Sequence, residues 1–145
     1  MDVYVFDIDG TLSNHSRRIP LAPKDKYGSW TAFQKDCEND PPIPSGLSLA
    51  LALQRSDTLI FMTSRDKNTY KQTRDWLVAQ HLDPEFLFMR EVGDYTSAEE
   101  LKLGWLENNL PDYMWVVSVF EDNDATIKFL RKHDYHCCQV ANGGF

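Results

Sequence analysis

Two aspartates directly after the first apolar segment are the residues best placed to do chemistry. Asp7 and Asp9 follow the run 3–6 and precede Gly10 and Thr11. Side chains at i and i+2 of a strand point to the same side, and glycine lets the chain turn sharply away. Open α/β sheets bind ligands at this end of their strands. One carboxylate can attack phosphorus and its neighbour can handle a proton while a hard cation neutralises the site, so the pair predicts phosphoryl transfer.

Three further groups of polar residues stand at corresponding places along the chain. Each lies at or just after the predicted end of a strand, or early in a helix. They are Thr63, Ser64 and Arg65, then Lys102, then the acidic run Glu121, Asp122, Asn123 and Asp124. If the sheet is parallel, all of them meet Asp7 and Asp9 at one edge.

The elements that must position these residues alternate between strands and helices, which predicts an α/β fold with a Rossmann-like parallel sheet of about five strands. Predicted strands cover 2–7, 58–63, 86–89, 114–120 and 136–140. Predicted helices cover 44–55, 66–81, 97–109 and 124–133, the third opened by a capping box of Ser97 and Glu100. The Leu/Ala pattern of 44–55 also alternates like a strand, so its helical assignment is the less secure one.

The segment between the first strand and the first long helix predicts a flap over the site. Residues 12–28 are polar and contain two prolines, which indicates a loop. Ser29 is placed to cap a short helix with Trp30, Phe33 and Cys37 on one face, and Asp40-Pro41-Pro42 would end it. We expect one domain over 1–145, with a flap at about 12–42.

Composition narrows the function classes. The chain has 145 residues, 42% of them hydrophobic and 26% charged, and a net charge of -7, as expected for a soluble protein. The acidic balance argues against an extended DNA-binding surface. No apolar run is long enough to span a membrane, and no signal-peptide pattern opens the chain. Three cysteines fit a reduced, cytoplasmic protein.

The order and spacing of these residues resemble the haloacid dehalogenase (HAD) superfamily of phosphohydrolases, and within it the 3′-phosphatase domain of phage polynucleotide kinase-phosphatases. The resemblance runs from Val3 to the C-terminus, where 138–145 are similar to the family's closing Cys-x-Gln-Val-Ala-x-Gly-Asp-Phe, with Gly144 in place of the Asp. It implies a HAD-like fold with a minimal cap, and a host-cytoplasm location if the chain is phage-encoded.

The resemblance also implies a role for each site residue. Asp7 would be the nucleophile that forms an aspartyl-phosphate, and Asp9 the general acid and then the base. Asp7, the Asp9 backbone carbonyl and Asp122 would bind Mg²⁺, with Glu121 in the shell behind them. The remaining roles are phosphate binding by Thr63 and Lys102, and substrate binding by Arg18, Ser64 and Arg65.

Several positions depart from the family pattern or stay open. Thr63-Ser64 replaces a common Ser-Gly, and Asn123 replaces an arginine. Ala98 stands where the family can carry an acid four residues before Lys102, and the neighbouring Glu99 is a possible substitute. Arg90 and Asp94 either brace a loop or contact substrate. The tryptophans are expected to pack in the core or flap, and Trp30 has base stacking as an alternative.

The resulting prediction is a Mg²⁺-dependent phosphomonoesterase for nucleotidic substrates, with the 3′-phosphate end of a polynucleotide favoured. The alternatives are a 5′(3′)-deoxyribonucleotidase acting on free nucleoside monophosphates and a non-catalytic binding module on a HAD scaffold. The acidic net charge favours the small substrate, and the short cap favours a polymer end. Sugar position, base preference and oligomeric state stay open.

Overall fold

Five parallel strands form a single sheet in residues 1–143, the part of the chain that the computed structural model describes. The strands are β1 (Asp2–Phe6), β2 (Thr58–Asp66), β3 (Leu87–Arg90), β4 (Trp115–Asn123) and β5 (Cys137–Gly143). Their order across the sheet is β3-β2-β1-β4-β5, and every neighbouring pair is parallel. The first strand of the chain is therefore the central one, so the residues that follow it lie in the middle of the carboxyl edge.

Helices cover both faces of this sheet. They are α2 (Pro44–Gln54), α3 (Tyr70–Ala79), α4 (Ala98–Asn108) and α5 (Asp124–Lys132), while the short helix α1 (Thr31–Lys35) lies in the flap segment. Because side chains alternate along a strand, Val5 packs on one face with Leu106 of α4 and Ile127 of α5. Phe6 packs on the other face with Trp76 of α3. The α/β, HAD-like fold expected from the sequence is confirmed.

Most predicted elements are present with shifted ends. The segment 44–54 is the helix α2, which resolves the ambiguous pattern, and Ser97 caps α4 by accepting a hydrogen bond from the Glu100 N–H at 3.4 Å. Strand β2 continues to Asp66 because that residue pairs with Arg90 after an irregularity. Helix α3 is shorter than predicted, since a 3₁₀ turn occupies Lys67–Thr69.

Other local predictions are wrong. A 3₁₀ helix at Ser16–Leu21 lies in the segment predicted as loop. The N-cap of α1 is Trp30 rather than Ser29, and Cys37 lies in a second 3₁₀ helix. Trp115, expected to be packed, is 72% exposed because it begins β4 at the opposite end of the sheet. Gly144 and Phe145, in the closing motif, lie outside the described residues.

The two ends of the flap meet beside the first turn of α2. The Asn14 N–H donates to the Pro41 carbonyl at 2.8 Å, and the Ile43 N–H donates to the Leu12 carbonyl at 2.7 Å. The segment between them therefore leaves and rejoins the fold at one point. None of the described helices combines the length and hydrophobicity needed to cross a bilayer.

Candidate active site

The end of β1 is joined directly to the end of β4. The Asp7 N–H donates to the Phe120 carbonyl at 3.0 Å. That bond sets Asp7 beside Glu121 and Asp122, which continue β4. The parallel register thus brings together acids more than a hundred residues apart in the chain.

Gly10 turns the chain away from this edge and leaves room for an acid. Its φ is 83°, in the left-handed region where glycine is favoured. A Cβ added there would lie 2.1 Å from Asp122 Oδ2. The Asp122 carboxylate therefore occupies the space that any other residue at position 10 would need.

Three buried carboxylates and one ammonium form the centre of the site. Oxygens of Asp7, Glu121 and Asp122 lie within 4.8 Å of one another. Lys102 Nζ donates to Asp7 Oδ1 at 2.7 Å and to Glu121 Oε2 at 2.6 Å. Thr11 Oγ1 donates to the other Asp7 oxygen at 3.1 Å. The cluster holds three potential negative charges against one positive charge, which leaves it short of positive charge.

Burial and this excess of carboxylates shift the pKa values of the three acids. Burial and repulsion by Glu121 raise the pKa of Asp7 well above its usual range, although Lys102 acts in the opposite direction. Burial and a hydrogen bond with Glu121 raise the pKa of Asp122 to about 7. Burial opposes ionisation of Glu121, but Lys102 and backbone N–H groups lower its pKa. Lys102 thus favours the ionised form of Glu121, whereas its contact with Asp7 does not offset the burial of that acid.

Asp9 has an electrostatic environment opposite to that of Asp7. Its Oδ1 accepts from Arg18 Nη2 and Arg65 Nη2, both at 2.6 Å, and its Oδ2 accepts from Arg65 Nε at 3.1 Å. Although burial disfavours the charge, the arginines, with a smaller contribution from His15, lower the pKa of Asp9 to about 2. The two aspartates of the motif therefore have pKa values shifted in opposite directions, an arrangement common in acid–base sites.

Asp40 lies beside both arginines, and no sequence motif predicts that it belongs to the site. Its buried carboxylate accepts from Arg18 Nη2 at 2.7 Å and from Ser13 Oγ at 2.6 Å, and lies 3.7 Å from Arg65 Nη2. An acid before two prolines is typical of a helix end, so its sequence context concealed this contact. The one sequence signal for it is Arg18, because an arginine buried near the motif needs an acidic partner.

The other predicted residues lie along the same edge. Thr63 is buried on β2, and its hydroxyl accepts from the Arg65 N–H at 3.2 Å. Ser64 follows it, and its carbonyl accepts from Arg90 Nε at 2.9 Å. Arg90 also donates to the carbonyls of Asp94 and Thr96, so its contacts are those of a loop brace.

Two of the open positions have contacts that bear on their roles. The Asp94 carboxylate accepts from the Thr96 N–H and hydroxyl and so stabilises a local turn. Glu99 lies in the first turn of α4, three residues before Lys102. It makes no ion pair within residues 1–143, so its substitution for the missing family acid stays a prediction.

Comparison with known proteins identifies the family. The whole chain, residues 1–145, matches the HAD-type family described as "Polynucleotide kinase PNKP phosphatase domain". Two similar solved structures are "Structure of Pnkp1/Rnl/Hen1 complex", at 21% identity and a TM-score of 0.79, and "Structure of the Pnkp1/Rnl/Hen1 RNA repair complex", at 20% and 0.81. Each match covers 99% of this chain, which spans only 47% and 43% of those chains.

A third solved structure supports the fold assignment. The "putative beta-phosphoglucomutase from Thermotoga maritima" is 18% identical, with a TM-score of 0.54 over 93% of this chain and 82% of that chain. These identities show a shared fold alone. A search of curated proteins finds no match.

Proposed function

The chain belongs to the family of polynucleotide kinase PNKP phosphatase domains and is a HAD-type phosphatase, and on that premise we propose that it hydrolyses the 3′-phosphate at the end of a polynucleotide. The single observation that carries this proposal is the pairing of two aspartates in opposite electrostatic environments at one sheet edge. Asp7 faces a buried acidic cluster with Lys102, and Asp9 faces two arginines.

The donor set fits a magnesium ion. All the ligand atoms offered by Asp7 and Asp122, with the backbone carbonyl of Asp9, are oxygens, which Mg²⁺ prefers. Burial, with repulsion or hydrogen bonding from Glu121, raises the pKa values of Asp7 and Asp122, and a bound cation would favour their ionised forms. Bound there, Mg²⁺ supplies the charge that lets a carboxylate approach a phosphate dianion. Glu121 would stay behind these ligands, since it already holds Lys102.

Asp7 is the residue we assign as the nucleophile. Its Oδ1 and Oδ2 are oriented by Lys102 and Thr11, so the carboxylate is fixed before substrate arrives. Attack on phosphorus forms the aspartyl-phosphate and breaks the bond to the leaving 3′-oxygen. Water then releases phosphate and regenerates the carboxylate. The Lys102 ammonium and the Thr63 hydroxyl would bind the oxygens of the transferred group.

Asp9 would protonate the leaving oxygen and later accept a proton from water. With both arginines in place, its carboxylate stays ionised at neutral pH. A substrate phosphate or sugar that draws Arg18 or Arg65 away would raise the pKa of Asp9 and allow it to carry the proton. Substrate binding by the two arginines would in this way promote protonation of Asp9.

We further assign residues 1–145 to one phosphatase domain in which the flap replaces a larger cap. The paired ends of the flap support this, because a segment that leaves and rejoins at one point is an insertion in the sheet domain. Arg18, within the flap, reaches Asp9 across its base. Formation of the flap would thus complete the site.

A turnover screen tests the proposal. A 3′-phosphorylated oligonucleotide, a 3′-mononucleotide and a 5′-mononucleotide are compared with Mg²⁺ and with EDTA. We expect the highest kcat/KM for the oligonucleotide and no turnover in EDTA. A clear preference for either mononucleotide would establish the nucleotidase alternative instead.

The nucleophile is tested separately. Asp7→Asn should abolish turnover and labelling of the protein by phosphate, with the circular dichroism spectrum unchanged. Glu91→Gln serves as the matched control, because Glu91 is exposed and, within residues 1–143, forms an ion pair with Lys67 alone. Substantial residual turnover in Asp7→Asn would refute the assignment.

A further inference from the structure

Positive charge is concentrated on two segments beside the active site. Residues 12–40 and 63–75 contain nine of the chain's 15 Lys and Arg residues but only six of its 22 Asp and Glu residues. The first segment follows β1 and the second begins near the end of β2, so both lie at the carboxyl edge. These two segments are therefore less acidic than the rest of a chain whose net charge is -7.

Part of this charge is available to a ligand. Arg18 and Arg65 are buried on Asp9, and Arg17 forms an ion pair with Asp36. The three flap lysines, in contrast, are exposed and form no ion pair with any residue in 1–143; they are Lys24, Lys26 and Lys35. Exposed cations without a protein counter-charge at a catalytic edge are suited to phosphate groups.

Exposed aromatic side chains are interleaved with these lysines. Tyr27 is 85% exposed and Trp30 is 47% exposed. The Trp30 ring meets Phe33 edge-on, with centroids 5.2 Å apart, and Arg18 Cζ lies 4.6 Å from the Phe33 centroid. Three successive contacts thus connect the surface indole to Asp9.

This path lies on the side of the site where the leaving group must be. Asp9, assigned above to protonate the leaving oxygen, faces the flap through Arg18. The nucleoside that carries that oxygen would therefore lie on the flap side of Asp9, where the Trp30 ring is exposed. Alternating cations and aromatic faces match the repeating phosphates and bases of an unpaired strand, because base stacking needs no sequence readout.

We propose that Lys24, Lys26, Tyr27, Trp30 and Lys35, the flap face, bind the single-stranded polynucleotide that leads to the phosphorylated end. This proposal rests on the proposed function and adds the strandedness of the substrate. Trp30 stacks on a base near the terminus, and the lysines contact phosphates further along the strand. A free mononucleotide reaches the catalytic edge but not the lysines.

Two variants and two matched controls test the flap face. Trp30→Ala is compared with Trp115→Ala, which removes an exposed tryptophan at the opposite end of the sheet. The double variant Lys24→Gln/Lys26→Gln is compared with Lys128→Gln/Lys132→Gln, which changes two exposed lysines of α5, outside the flap. Each is assayed on a single-stranded 3′-phosphorylated oligonucleotide and on p-nitrophenyl phosphate. Binding of the fluorescent 3′-hydroxyl oligonucleotide is measured by anisotropy without turnover.

We expect Trp30→Ala to raise KM for the oligonucleotide roughly tenfold with kcat little changed, and Trp30→Phe to restore most of the affinity. The lysine double variant should weaken anisotropy binding and reduce the slope of log affinity against log salt by roughly 0.7 per lysine. Turnover of p-nitrophenyl phosphate should be unchanged in both, and both controls should behave as wild type.

Equal losses on the oligonucleotide and on p-nitrophenyl phosphate would overturn the proposal, as would an unaltered salt slope or weakening by the control variants. If the wild-type protein prefers the oligonucleotide and all variants match it, only the flap face is refuted. If the wild-type protein turns over mononucleotides but no oligonucleotide, the proposed substrate itself is wrong. If the variants reduce turnover of a 3′-phosphate at a duplex end as strongly as turnover of the single strand, the proposed specificity for single strands is refuted.

Discussion

The Asp122 carboxylate lies in the space that a side chain on Gly10 would occupy, with a hypothetical Cβ only 2.1 Å from Oδ2. The absence of a side chain in the turn after β1 thereby leaves room for an acid near the end of β4. A side chain at position 10 would displace this carboxylate, which we propose as a metal ligand, and this gives the first prediction.

Gly10→Ala should lower stability by about 1–3 kcal/mol because of its left-handed φ, and should reduce kcat/KM by about 100-fold or more because Asp122 must move. Gly104→Ala in α4 is the control, since among residues 1–143 no atom beyond its chain neighbours and the backbone of its own helix lies within 4 Å of the added Cβ, and alanine favours a helix. Urea unfolding and steady-state kinetics measure both effects. Wild-type activity in Gly10→Ala would show that the Asp122 position is not critical.

Removing Lys102 should destabilise the protein as well as inactivate it. Lys102→Met keeps most of the side-chain volume but leaves Asp7 and Glu121 buried without their shared cation. We expect a loss of about 3–5 kcal/mol in the free energy of unfolding at pH 7. The exposed Lys128→Met should change it by less than about 0.5 kcal/mol. A Lys102→Met protein as stable as wild type would mean that the two acids carry little charge.

Asp40→Asn should impair the site although Asp40 touches neither Asp7 nor the metal ligands. It removes the charge of the carboxylate that shares Arg18 Nη2 with Asp9. We expect a destabilisation of about 3 kcal/mol and a shift of the kcat/KM pH profile, which reports the free enzyme. Asp36→Asn, at a half-exposed position, should leave the stability and the pH profile unchanged. An unaltered pH profile in a folded Asp40→Asn protein would restrict Asp40 to a structural role.

The metal-free protein should lose stability as pH rises. The pKa of Asp122 is raised to about 7 in the folded state, so the folded protein binds more protons than the unfolded chain between about pH 4 and 7. Protonated Asp122 therefore stabilises the folded state fully below about pH 4, and this stabilisation is lost as the pH rises to about 7. Thermal unfolding in EDTA should therefore show a melting temperature that falls from pH 5 to pH 8.

Mg²⁺ should reverse this trend, because binding to the ionised carboxylates stabilises the folded state more as pH rises. Asp122→Asn serves as the control and should show a flatter pH dependence and a smaller Mg²⁺ effect. A wild-type melting temperature that is equal with Mg²⁺ and with EDTA at pH 8 would contradict a metal site at this cluster.

The sequence predicts the sheet and its catalytic edge well because both depend on local patterns. Apolar runs ended by Asp7, Thr63 and Glu121 mark strands whose ends must meet if the sheet is parallel. The capping pattern at Ser97 likewise reports a local hydrogen bond. These signals need no knowledge of distant partners.

The partners of the arginines could not be predicted in the same way. The contact from Asp40 to Arg18 spans 22 residues of irregular chain, and no periodicity specifies it. Arg18 and Arg65 were expected to face substrate. Their guanidinium groups are instead buried on Asp9 in this structure, so their substrate role stays a prediction. Trp115 was predicted to be packed but is exposed. It is the first residue of β4, and the apolar pattern alone does not show where in the sheet a strand begins.

The meeting of the flap's two ends at Leu12 and Ile43 has a consequence for how new specificity could arise. Because closing a loop costs little more free energy as the loop lengthens, this segment could be exchanged as a cassette between relatives while the sheet stays the same. Arg18 and Asp40 lie inside the cassette and contact one another. A graft would therefore carry with it the arginine that pairs with Asp9, our proposed general acid, and recognition and acid–base tuning would be inherited together.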